Sequence, residues 1–95
     1  MDKAITALRK AVKLTTHAIN YIQPAAKDRE GWTAKLDLLG LRRHLLCQLA
    51  KAEVVEHDYF LATDGWEERQ KEIVDVNERI RVIHELLDLT TTQET

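Results

Sequence analysis

Glu53-x-x-Glu56 and, after fifteen intervening residues, Glu72-x-x-Asp75 are the residues whose type and spacing best suit chemistry. Carboxylates three apart on a helix share a face. Two such pairs brought together from two helices would offer the oxygen ligands that a hard divalent cation such as Mg²⁺ requires. Glu53 falls inside the apolar arc of its helix and Glu72 borders another, and charges in such places need a partner. Without a metal, the expected partner of Glu53 is a basic side chain such as Arg42 or Arg43 of a second copy. Acidic pairs three apart also occur at Asp64/Glu67, Asp75/Glu78 and Glu85/Asp88, so the spacing alone specifies little.

The doubled acidic pair resembles the motifs of the all-α nucleoside triphosphate pyrophosphohydrolases, small dimeric helical enzymes. The resemblance covers residues 53–75. It implies that Glu53, Glu56, Glu72 and Asp75 hold Mg²⁺ against a triphosphate and that pyrophosphate is released. After Asp75 the chain continues Val-Asn-Glu-Arg-Ile-Arg, a departure from the mostly apolar helix that the family leads one to expect. Arg79-x-x-x-x-His84 is similar to the Arg…His motif of a large group of helical ribonucleases, with Ile80 where a polar residue is typical. A spacing of five turns two side chains about 140° apart on a straight helix, so this pair does not converge within one chain.

Arg9, Lys10 and Lys13 form a basic stripe, with Lys3 near its edge and His17 and Asn20 continuing it. Such a stripe can track a phosphate backbone, which makes nucleic acid an alternative partner. It lacks interleaved aromatics on which bases would stack. His44-x-x-Cys47 supplies two of the three or four ligands a zinc site needs, with no second pair nearby. No Gly-rich phosphate loop, nucleophile elbow or zinc-finger spacing is present. The residues therefore favour a protein without catalysis or cofactor, Mg²⁺ entering only under the enzyme alternative.

Three segments must position these groups. In the first, 3–22, Ile5, Leu8, Val12, Thr15, Ile19 and Ile22 alternate in threes and fours, the mark of an amphipathic helix. Ala4, Ala11 and Ala18 recur beside that stripe and permit close helix approach. Pro24 disfavours helix at Gln23 and ends the run. In the middle segment, 28–61, Leu38, Leu41, Leu45, Leu49, Ala52 and Tyr59 form one apolar stripe. Trp32, Leu39, Leu46 and Ala50 form a second, with Lys35, Arg42, Glu53 and Phe60 between them. Two stripes predict two neighbours and hence a central helix. Gly40, about 1 kcal/mol worse than Ala in a helix, is where that helix would break if there were four. Asp64 with Glu67 reads as a capping box opening the last helix. There Trp66, Ile73, Val76, Ile80, Ile83 and Leu87 keep the period, and residues 90–95, lacking apolar side chains, are expected to fray.

The 95 residues suit one domain over 1–95, with 44% hydrophobic and 32% charged residues and only three Gly and one Pro. These proportions exclude a disordered chain and a turn-rich β-sandwich. Cys47 is the only cysteine, and no apolar run reaches membrane-spanning length, so a cytoplasmic setting is expected. Charge is polarised: ten basic and four acidic residues run from Met1 to Lys51, four basic and twelve acidic from Ala52 onward. Oppositely charged halves are expected to pack together.

The expectation is an all-α antiparallel bundle of three long helices, or four if Gly40 breaks the middle one. It would pair as a homodimer through the second stripe of the middle helix and the alanine edge. The predicted function is that of a non-enzymatic interaction or adaptor protein. Its partner surface would centre on Trp32, Leu39, Leu46 and Phe60.

Overall fold

The computed structural model describes residues 2–56 and 64–94, with the backbone alone for Asp2, Glu56, Asp64, Gly65 and residues 90–94. Three helices carry the described chain: α1 (Asp2–Tyr21), α2 (Arg29–Glu56) and α3 (Asp64–Glu94). α1 stops where the sequence denies it a continuation. Ile22 still donates its backbone N–H to the Ala18 carbonyl at 3.3 Å, and Pro24, two residues on, has no N–H to give. The chain reverses through Ala25–Asp28, where the Asp28 N–H donates to the Ala25 carbonyl at 3.0 Å.

Asp28 then caps α2. Its Oδ1 accepts the Gly31 N–H at 3.0 Å, and its carbonyl accepts the Trp32 N–H at 3.0 Å. This satisfies one of the donors that every helix start leaves open. A Cβ on Gly31 would lie 2.5 Å from Asp28 Oδ2 and 2.9 Å from Pro24 Cβ, so the absence of a side chain there lets the turn close. The four-helix alternative does not hold. α2 passes through Gly40 as one 28-residue helix, because the cost of one glycine is small beside the packing that flanks it. The capping side chain expected at Asp64 lies outside the described residues. α3 continues through Thr90 to Glu94, past the point where fraying was expected. Adding a residue to a formed helix gains a hydrogen bond at little cost, and threonine is only a moderately poor helix former.

The helices run antiparallel. Arg9 near the start of α1 meets Glu53 near the end of α2, while Thr16 meets Arg42. Arg69 near the start of α3 also meets Glu53, and Arg29 at the start of α2 donates to the Leu87 carbonyl late in α3. α2 is the central helix, as its two stripes predict: it packs against α1 on one side and α3 on the other. Among the described residues no Cα of α1 comes within 8 Å of one of α3. The outer helices therefore splay around α2, and the Cα trace measures 53 × 21 × 15 Å.

Ile5, Val12 and Ile19 of α1, Leu39, Leu46 and Leu49 of α2, and Val76, Ile80 and Ile83 of α3 form the core. Each such side chain contributes roughly 1.5–3 kcal/mol by leaving water. Leu8, Trp32, Leu36, Leu38, Leu45, Ala52, Ile73 and Leu87 pack around it. The second stripe of α2 is thus spent inside the chain: Leu39 and Leu46 are 0% exposed and Ala50 is buried. That corrects the expectation that this stripe meets a second copy.

Candidate functional site

Glu53 is the most deeply placed charge among the described residues, its side chain 1% exposed. It lies on α2 between the two apolar stripes, on the side where α1 and α3 diverge. A carboxylate there is tolerable only if both oxygens are paired. Arg9 Nη2 of α1 donates to Oε2 at 2.9 Å. Arg69 of α3 donates to Oε1 through Nε at 3.0 Å and approaches it with Nη2 at 2.9 Å. The partners expected for Glu53, Arg42 or Arg43 of another copy, are replaced by two arginines of its own chain.

The cluster extends along the same side of α2. Arg69 Nη1 also donates to Glu72 Oε1 at 2.7 Å, and Arg42 Nη2 lies 3.8 Å from Glu72 Oε2. Arg42 Nε donates to Thr16 Oγ1 at 2.9 Å, and that hydroxyl donates onward to the Val12 carbonyl at 2.8 Å. Three guanidinium groups thus surround two carboxylates, and every helix contributes. Among the described residues Arg42 Nη1 has no acceptor. Arg9 and Arg42 come from the basic half of the sequence and Glu53 and Glu72 from the acidic half. Part of the charge polarity is thus used within one chain, while Arg69 comes from the acidic half itself.

The four predicted metal ligands are distributed unequally. Glu53 and Glu72 converge, but on the Arg69 guanidinium, which places positive charge where a cation would sit. Asp75 is exposed and borders a shallow recess with Gln70, Lys71, Val74 and Glu78. The Glu56 side chain lies outside the described residues. Among the described residues no three His, Cys, Asp or Glu side chains gather as a metal would require. His44 is exposed and Cys47 half-buried; Arg79 is half-buried and His84 exposed, with Ile80 turned into the core.

In the basic stripe, Lys10 and Lys13 are exposed, whereas Arg9 is committed to Glu53. Of the expected partner-binding residues, Leu39 and Leu46 are core and Phe60 lies outside the described residues. Trp32 is half-buried against the core; its Nε1 donates to the Ala25 carbonyl at 3.1 Å, and Lys35 Nζ sits 5.8 Å from the ring centroid. It braces the α1–α2 turn.

No family model, curated protein or solved structure matches the chain.

Arg69, the residue that completes the cluster, was not singled out from the sequence. A signal existed: on a 100° wheel it falls inside the apolar arc of α3, between Val76 and Ile80 in angle. Farther along α3, Arg81 binds Glu78 and, at 2.6 Å, Glu85 on the exposed side of the helix. The hydrogen bond from Arg81 holds the Glu78 carboxyl below the usual range, slight desolvation opposes this, and the charge of Arg81 adds to the lowering. Among the described residues no helix is long and apolar enough to cross a membrane.

Proposed function

We propose that the protein is a non-enzymatic interaction module that acts through its helix surfaces. The supporting observation is large apolar side chains left in water around a core that is already filled. Tyr21 is 89% and Val55 80% exposed, and Leu14, Leu41, Val74, Val82 and Leu89 join them. Single exposed apolar residues are ordinary, but one that borders an apolar recess offers a partner a surface to fill. Val55 borders two adjoining recesses, one lined by Ala50, Lys51, Val54 and Trp66, the other by Ala4, Ile5, Leu8, Gln48, Lys51 and Ala52. Of the four carboxylates best spaced for catalysis, Glu53 and Glu72 are engaged by arginines, which favours a structural role for these two.

Comparative capture tests the proposal. Wild-type protein and a Leu41→Ser/Val55→Ser variant are immobilised and exposed to the same cell extract, and bound chains are quantified. Both positions are exposed, so the variant keeps its helical spectrum. The wild type is expected to retain a saturable partner, a second copy included, that the variant releases. Equal, non-saturable retention by both would refute a role for this surface.

A further inference from the structure

We infer that the solvent face of α2 binds α2 of a second copy, antiparallel, across a two-fold axis passing between Gly40 and Leu41. The inference rests on the interaction reading above and names the occupant. Glu30, Asp37, His44 and Lys51 recur every seven residues, and at 100° per residue they fall within a 60° arc. All four are exposed. Among the described residues none takes part in an ion pair of its own chain, although the cluster on the opposite side of α2 pairs nearly every charge it contains.

The order of this stripe is self-complementary when reversed. Laid antiparallel on its own copy, Glu30 meets Lys51 and Asp37 meets His44, and both pairings share one midpoint between residues 40 and 41. A parallel arrangement would set like groups against like. An isologous interface requires that each surface complement itself, and this stripe does so only in the antiparallel sense.

The flanking stripes fit the same axis. Ala34, Leu41, Gln48 and Val55 lie toward α1, and Thr33, Gly40, Cys47 and Val54 toward α3. Under the two-fold, Leu41 opposes Leu41, Gly40 opposes Gly40, and Cys47 opposes Thr33 of the second copy. Nothing lies within 4 Å of the place a Gly40 Cβ would occupy. The glycine therefore serves no packing need of its own chain, yet it weakens the helix. A second backbone approaching at the axis supplies the missing reason. One helix from each copy makes a small interface, below about 1,200 Å² in total, so affinity belongs in the micromolar range or weaker.

Charge reversal measured by sedimentation equilibrium tests the inference. Each dimer contains the Glu30–Lys51 pair twice, so Lys51→Glu or Glu30→Lys alone should weaken association roughly tenfold. Combining them should restore it to within about threefold of wild type. Register is tested by Thr33→Cys. Positions 33 and 47 lie about 21 Å apart along one helix and cannot bond within a chain. In the antiparallel dimer the new thiol should oxidise with Cys47 of the second copy to a covalent dimer, which Cys47→Ser abolishes.

Self-association unchanged by the single reversals, or no rescue by the double one, would overturn this surface while leaving the interaction reading intact. A wild-type chain that stays monomeric at millimolar concentration would overturn the dimer. The capture experiment decides the broader reading independently.

Discussion

Arg69 and Glu53 bind each other, yet their removal should not cost the same. Arg69→Met keeps the length and apolar stem of the side chain but leaves Glu53 Oε1 without a donor in a site 1% exposed. Breaking a buried pair from one side costs about 3–5 kcal/mol. Arg9 still holds Oε2, although it is 56% exposed and its contribution is screened, so the lower end, about 3 kcal/mol, is expected. Glu53→Gln removes the charge from the other side. Arg69 then retains Glu72 at 2.7 Å and Arg9 returns to water, so the loss should be about 1–1.5 kcal/mol. For a domain of this size, these losses lower the melting temperature by about 12–24 °C and about 4–12 °C respectively. Joining the two substitutions should be less harmful than their sum by about 1–2 kcal/mol. Urea unfolding followed by helical ellipticity gives all three values. Equal single losses, or a larger loss for Glu53→Gln, would refute the view that Glu53 is buried and Arg69 its principal partner.

The two helical glycines should respond in opposite directions. Gly40→Ala, measured at a concentration where the chain is monomeric, should add about 0.5–1 kcal/mol, because its Cβ meets nothing. Gly31→Ala should destabilise by about 1–2 kcal/mol, since its Cβ collides with the capping Asp28. Asp28→Ala should cost about 1 kcal/mol in denaturant unfolding through the lost cap. Glu78 should titrate below the ordinary carboxylate range in a carbon-detected NMR series and return toward it in Arg81→Ala. Because the folded value is depressed, any stability it contributes is present above the unfolded value and is lost as pH falls through the folded one.

The helices themselves were legible. Threefold and fourfold alternation marked α1 and α3, Pro24 marked the first boundary, and two stripes on the middle segment marked α2 as central. The arc between those stripes was harder to read. Arg42 and Glu53 occupy it, and an apolar stripe beside them fits a helix of the same chain or of a second copy equally well, so periodicity alone does not say which of the two covers Leu39 and Leu46. In the structure that arc faces the gap between the splayed outer helices, and guanidinium–carboxylate pairing closes it. The need of Glu53 for a partner was visible from its position, because a charge inside an apolar arc must be matched. The identity of that partner depended on the register of three helices, which periodicity within single helices does not encode. Gly40 was ambiguous for a similar reason. Its local cost is known, but whether a helix survives it depends on packing on either side.

The Arg69 guanidinium provides the most direct test that the acidic residues serve to join the helices. In a ¹⁵N-labelled sample at low temperature, the Arg69 Nε–H should exchange slowly with water and show a hydrogen-bond coupling to the Glu53 carboxylate. Millimolar Mg²⁺ should leave both signals in place. An Arg69 side chain that exchanges freely, with a Glu53 carboxylate whose shift saturates on adding Mg²⁺, would contradict the account and return these carboxylates to metal chemistry.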